Sequence, residues 1–354
     1  MASVCVKQNR DPRERSKEVG MRANPAVFAL SLGVALGADT SRVFQFHHIE
    51  GTQQVQEVAT MVRTIADIRN LSVDTTQASI SMTAPEGSIQ IAEFLLKELD
   101  RTSFPDTVTK AFQVAPDGSD VVRVFYLPNT ATIQQFQEVA TAVRTVTEIR
   151  RVFTYNEPRA LTIRGTADQV AAAAWMIQEL DQPARAKRTD SAEYKMIDPE
   201  NHGETQVRVI YAPFTSTVQQ FQEVATLIRS IGRIRRVFTY NAAKAITVRG
   251  TADQVAGAAW MIHELGTPVD GRFSSPVYHM DDLAGQGDEV VRIFYVKDAP
   301  TVQAFQQIAT QVRMKTQMRR VFTYNATMAL AVRGTADQIA ATEQFLKDRQ
   351  VAAN

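Results

Sequence analysis

The run Arg150-Arg151-Val152-Phe153-Thr154-Tyr155-Asn156 recurs unchanged at 235–241 and at 319–325, and it holds the residue types best suited to recognition. A guanidinium group forks a carboxylate through two parallel hydrogen bonds. Aromatic rings are the usual anchors of protein interfaces. Side chains alternate across a strand, so Arg151, Phe153 and Tyr155 share one face, as do Arg236, Phe238 and Tyr240, and Arg320, Phe322 and Tyr324. Val152 and Thr154 take the opposite face, so apolar groups stand on both. A sheet with one covered face should be polar on the other. Two uses fit the stripe. Either the rings anchor and the arginines hold an acidic partner, or the rings pack against helices, an extra hairpin or a neighbouring unit.

Other reactive residue types are sparse. Gly165, Gly250 and Gly334 each precede a helix N-terminus, a place where phosphate binds, but no Gly-rich loop of phosphate-cradling spacing occurs; the expectation is a turn residue. His47-His48 has no further ligand at useful spacing, and one cysteine excludes a disulfide framework or a cysteine-rich zinc site. No pair of carboxylates stands out as an acid/base couple. Trp175 and Trp260 sit in Ala-Ala-Trp-Met-Ile segments and read as packing residues. We therefore expect no catalytic, metal or cofactor site, and no enzyme.

The elements that position the stripe repeat with it. Gln134–Thr141 recurs at 219–226, and Arg164-Gly165-Thr166-Ala167-Asp168-Gln169 recurs at 249–254 and 333–338, all at offsets of 85 and then 84 residues. A fainter copy lies 81 residues upstream, where Arg42-Val43-Phe44 matches Arg123-Val124-Phe125 and Gln56–Thr60 matches 137–141. A fixed offset of this kind marks a repeat architecture. Within one copy, 121–127 reads as a strand. Ile133, Phe136, Val139, Ala140, Val143 and Val146 then recur at helical spacing. Residues 151–155 and 160–164 read as strands about a turn at 156–159. Val170, Ala174, Ile177 and Leu180 line a last helix. Thr132 with Gln135, and Thr166 with Gln169, form capping boxes. The fold class is α+β, four tandem βαββα units at 42–101, 109–182, 192–266 and 276–349. Short strand-like pieces at 111–114, 193–197 and 276–280 open each later unit with a hairpin. Residues 181–190 and 266–275 read as linkers.

Charge and the N-terminus bear on compartment. The chain carries 39 basic and 38 acidic side chains, too balanced for a general polyanion binder. Residues 21–38 place Arg22, an apolar run at 26–36 and small residues in the order of a secretory signal peptide. With Met21 as a candidate start, 1–38 is a leader. Removing 1–37 takes six basic and three acidic residues, leaving 33 and 35, a net charge of −2, and removes Cys5. No apolar run approaches the roughly 20 residues of a membrane span.

The strand Val-Arg-Val-Phe-Tyr-Leu, a helix, Arg-Arg-Val-Phe-Thr-Tyr-Asn, Leu-Thr-Ile-Arg-Gly-Thr-Ala-Asp-Gln and a helix closing Glu179-Leu180-Asp181 resemble the short periplasmic N-domains of bacterial secretins. The resemblance covers most of 42–348. It departs at Thr83-Ala84-Pro85, where later copies have Arg-Gly-Thr, and at Lys347-Asp348-Arg349, which lacks the Leu-Asp close. It implies a KH-like fold, a periplasmic or exported location, and protein partners in the cell envelope, with self-association into rings among them. The long pore domain of a secretin is not expected here. The rival reading, a KH-like nucleic-acid binder in the cytoplasm, needs a Gly-x-x-Gly clamp between two helices, which the units lack.

Overall fold

β-Branched and aromatic residues at alternate positions build short antiparallel sheets, and Thr or Pro at the turn out of each sheet starts a helix. The computed structural model describes residues 39–353 apart from 104–109, 184–187, 189, 198–202, 268–269, 282–284 and 286. The proposed leader, Cys5 and parts of both linkers lie outside the described residues. Four antiparallel sheets and eight α-helices occur among the described residues.

The first block holds β1 (Thr40–Gln45), α1 (Thr52–Ile65), β2 (Asn70–Asp74), β3 (Ser79–Ala84) and α2 (Glu86–Leu99), with sheet order β1-β3-β2. The second holds β4 (Phe112–Gln113), β5 (Val121–Tyr126), α3 (Ile133–Thr147), β6 (Arg151–Tyr155), β7 (Ala160–Gly165) and α4 (Ala167–Leu180). The third runs β8 (Tyr194–Lys195), β9 (Gln206–Tyr211), α5 (Val218–Ile231), β10 (Arg236–Tyr240), β11 (Ala245–Gly250) and α6 (Ala252–Gly266). The fourth runs β12 (Tyr278–His279), β13 (Val290–Tyr295), α7 (Val302–Thr316), β14 (Arg320–Tyr324), β15 (Ala329–Gly334) and α8 (Ala336–Ala353). This order is consistent with repeated βαββα units. In the last three blocks the two-residue strand pairs with the next one, giving β4-β5-β7-β6 and its equivalents. These opening strands are shorter than the sequence suggests, and α8 runs past 349 to Ala353.

The caps follow the expected chemistry with one correction. Thr166 accepts from the Gln169 amide while Gln169 Oε1 accepts from the Thr166 amide, and Thr251 with Gln254 repeats this. At α3, Thr132 accepts from the Gln135 amide, but Gln135 Oε1 takes the Ala131 amide instead of closing the box. Gly250 serves this geometry. A Cβ there would stand 2.7 Å from Gln254 Oε1, closer than van der Waals contact allows. The capping glutamine thus covers the helix N-terminus where a phosphate would otherwise sit.

The first three cores each draw on two blocks. The cluster around Val55, Val62, Ile80 and Leu95 of the first block also contains Val122, Val124, Tyr126, Tyr155 and Ala160 of the second. The second block's interior (Phe125, Phe136, Val143, Leu161, Ile177) is completed by Val207, Val209, Tyr211, Tyr240 and Ala245. The third is completed by Val291, Ile293, Tyr295, Tyr324 and Ala329. The fourth cluster contains fourth-block residues only. Alternation explains this sharing: Val121 and Phe125 face inward, and Val122, Val124 and Tyr126 face the preceding block.

Candidate functional site: the junctions between blocks

The stripe that looked suited to an external partner lies at the junctions. Tyr155, Tyr240 and Tyr324 are 3%, 5% and 1% exposed. Phe153, Phe238 and Phe322 are half-buried and pack against the core of the block before them. The correction to the outward-anchor reading is physical: these rings complete a neighbour's core, so in the fold they are packing groups first. Burial raises the pKa of all three tyrosines. The arginines of the stripe, by contrast, meet carboxylates. Arg151 pairs with Asp67 at 2.6 Å, Arg236 with Glu148 and Glu204, and Arg320 with Asp288 at 2.7 Å.

Three further sets of residues, which strand and helix periodicity did not single out, hold the junctions. First, Arg164 Nη1 donates to the Ile65 carbonyl at 2.7 Å, Arg249 Nη1 to Val146 at 3.0 Å, and Arg333 Nη1 to Ile231 at 3.1 Å. Each guanidinium thus caps the C-terminus of α1, α3 or α5, where orphan carbonyls and the helix dipole favour a cation. Arg249 and Arg333 are 1% and 2% exposed. Burial lowers the Arg333 pKa, while Asp288 opposes the shift.

Second, a carboxylate on the same helix clasps the next block's hairpin turn. Glu57 accepts from the Asn156 amide. Glu138 accepts from the Asn241 amide and its Nδ2 at 2.9 and 3.0 Å, and Glu223 does the same with Asn325 at 3.0 and 2.9 Å. Gln137, Gln222 and Gln306 donate to the Oδ1 of Asn156, Asn241 and Asn325 within their own blocks, which at Asn241 and Asn325 turns the amide nitrogen toward the glutamate. Third, the second helices dock through rings. Phe94 stacks on Phe112 at 5.3 Å, Trp175 on Tyr194 at 5.1 Å and Trp260 on Tyr278 at 4.8 Å. Tyr126, Tyr211 and Tyr295 donate to the carbonyls of Glu98, Glu179 and Glu264 near the ends of those helices. The sequence signal was repetition: Arg164, Arg249 and Arg333, and Asn156, Asn241 and Asn325, recur at the 85- and 84-residue offsets, and Glu57, Glu138 and Glu223 at 81 and 85.

One backbone position concentrates the charge. Asp67, Glu148, Arg233 and Gln317 follow the first helix of their blocks with φ of 61°, 58°, 56° and 52°. Left-handed backbone is unfavourable for a residue with a Cβ, so glycine would be the ordinary choice. At the first three positions the side chain instead meets the following block: Asp67 meets Arg151, Glu148 meets Arg236 and Arg249, and Arg233 meets Asp288.

His47 and His48 donate their backbone amides to the Asp100 carboxylate at 2.8 and 2.7 Å, which ties the loop after β1 to the end of α2. Asp181 binds Asn129 in the same way. This gives the Leu-Asp close a structural role. Among the described residues, no group of three His, Cys, Asp or Glu is placed to hold a metal ion. No helix there is long and apolar enough to cross a membrane.

No family model and no curated protein matches the chain. Similar solved structures include Aeromonas hydrophila ExeD, at 12% identity over 65% of this chain and 41% of that one, with a TM-score of 0.17. They also include the N-terminal domain of the secretin XcpQ from Pseudomonas aeruginosa, at 14% identity over 41% and 62%, TM-score 0.18. A third is an a/eIF2alpha–aDim2p–rRNA complex from Pyrococcus horikoshii OT3, at 12% identity over 40% and 85%, TM-score 0.23. The chain thus spans about two fifths of the length of ExeD.

Proposed function

We propose that this chain is an exported, non-enzymatic scaffold of secretin N-domain-like, KH-like units that works by contact with protein partners in the cell envelope. The observation that carries this reading is the junction, built three times from equivalent positions with closely similar contacts. The outer sheet face of each later block is spent on its neighbour, and an arginine, a glutamate–asparagine clasp and a stacked ring pair fix the register each time. Such an array behaves as one body with a long, serial surface, as solenoid proteins do. Several weak contacts spread along a rigid surface add up through effective concentration. The signal-peptide pattern at 21–38 supports export.

The test is fractionation of producing cells with N-terminal sequencing of the mature chain, followed by small-angle scattering of the purified product. We expect a start near residue 38 in the envelope or exported fraction, and a scattering curve fitted by one rigid arrangement of the blocks. A native Met1 terminus in the cytosol, with RNA bound in a steeply salt-dependent way, would replace this reading with the nucleic-acid one. Independent motion of the blocks would remove the scaffold argument.

A further inference from the structure

The three junctions are built alike but do not carry the same charge. At the first two, the left-handed residue after the leading helix is an acid, Asp67 or Glu148, and it sits in the fork of the next block's arginine. At the third, Arg233 takes that place. The position changes from −1 to +1. Arg320, the counterpart of Arg151 and Arg236, pairs with Asp288 of its own block, as Arg236 does with Glu204, and Arg233 reaches the same carboxylate at 3.5 Å.

The result is a groove of about 800 Å³ between the third and fourth blocks, lined by Arg229, Arg233, Arg235, Arg313, Arg319 and Arg320. Two of these are held in place by backbone, with no ion pair among the described residues: Arg229 and Arg313 donate to the carbonyls of Val237 and Val321 at 3.0 and 2.9 Å. Arg235 is paired with Glu204 at 2.8 Å and its side chain remains 62% exposed. Arg319 is exposed and has no ion pair among the described residues.

We propose that this groove docks a carboxylate-rich segment of a protein partner. The ligand class is read from the molecule itself. At the sister junctions the preceding block contributes a carboxylate, Asp67 or Glu148, to the next block's arginine; at the third it contributes Arg233 instead, so the cross-block carboxylate that those junctions take from the chain is what a partner would supply. Planar guanidinium groups accept carboxylates bidentately, and a convergent set in a groove raises both encounter rate and selectivity for an acidic segment. The proposal rests on the reading that the chain works through protein partners, and it assigns the first surface for one.

The probe is a fluorescein-labelled dodecapeptide of alternating Asp and Glu, measured by anisotropy against the purified chain at low and physiological salt. Arg233→Glu restores the charge of the second junction, on backbone that Glu148 already shows to accept glutamate, and is expected to weaken binding about tenfold or more. Arg319→Ala, at an exposed side chain, is expected to weaken it severalfold with an unchanged melting temperature. Arg150→Ala, an exposed arginine beside the second junction, should leave affinity within twofold.

Unchanged affinity in Arg233→Glu, or equal losses in all three variants, would overturn the assignment. So would tighter binding of a uridylate oligomer of equal charge. These results are read on purified protein. They are therefore separable from the location and rigidity tests, which decide whether the chain is an envelope scaffold at all.

Discussion

The outer sheet face of the first block and those of the later blocks occupy the same place in the fold and have opposite chemistry. Where the second block presents Val122, Tyr126, Phe153 and Tyr155 to its neighbour, the first presents Ser41, Gln45, Ser72 and Asp74, all exposed. Val43, the counterpart of Val124, is 70% exposed. Thr83 stands in place of the helix-capping arginine. The far end is modified in the same sense. Gln307, Gln311, Lys315 and Gln344 of the fourth block are exposed and replace Glu223, Leu227, Ile231 and Trp260. Inner faces are written for a neighbour of their own kind and outer faces for water. Polar terminal repeats of this sort keep a stacked array soluble.

The contrast breaks most severely at the buried arginines. Arg249→Ala strips the α3 C-terminus of its cap and leaves Glu148 without one of its cations. The expected loss is about 3–5 kcal/mol, read as a fall in the denaturant midpoint. Tyr240→Ala should cost about 3 kcal/mol or more, because its ring lies inside a neighbour's core. Ser72→Ala on the exposed first face, at the place of Phe238, should stay within about 0.5 kcal/mol. Equal losses at Tyr240 and Ser72 would show that the two faces do not differ energetically.

Alkali should open the junctions together. Burial raises the pKa of all eight tyrosines, six of which lie in shared cores or donate across a junction. The folded chain then keeps protons that the unfolded chain loses above about pH 10. Stability from these groups is full below that pH and falls as pH rises through the raised folded values. Melting temperature and phenolate absorbance should change in step; phenolate appearing near pH 10 before any unfolding would contradict this.

A smaller effect belongs to the clasp. Glu138→Gln keeps the shape but weakens a charge-assisted pair of bonds to Asn241, for an expected loss of about 1 kcal/mol, measurable in a double-mutant cycle with Asn241→Ala. The subtlest test converts the ends. Ser72→Phe and Asp74→Tyr combined with Gln307→Glu, Gln311→Leu and Lys315→Ile should add head-to-tail chain growth, read by light scattering as a mass that rises with concentration above that of the parent.

Much of the fold was readable from residue order. The strands at 151–155 and 160–165 fall where alternation puts them, and the presence of apolar groups on both sheet faces was visible in Val152 against Phe153 and Tyr155. What covers the second face was not visible. Periodicity reports which side of an element is apolar, and it says nothing about contacts roughly a hundred residues apart, such as Arg249 with Val146. Arg164, Arg249 and Arg333 read as the polar ends of strands until the neighbouring helix is in place. The charge reversal at Arg233 sits in plain view after α5, yet its meaning depends on knowing that the acids at this position in the first two blocks meet the next block's arginine.

Because each of the first three cores is finished by the block that follows, the molecule has a natural unit of insertion and deletion. Excising one whole 85-residue period from the interior would bring α3 against β14, with Glu148 arriving at Arg320 as it now arrives at Arg236. A loss that cuts through part of a period would leave a block without the sheet that completes its core. The gene is thereby free to lengthen or shorten by whole modules through unequal recombination, whereas deletions within a module are penalised at the seam they cut.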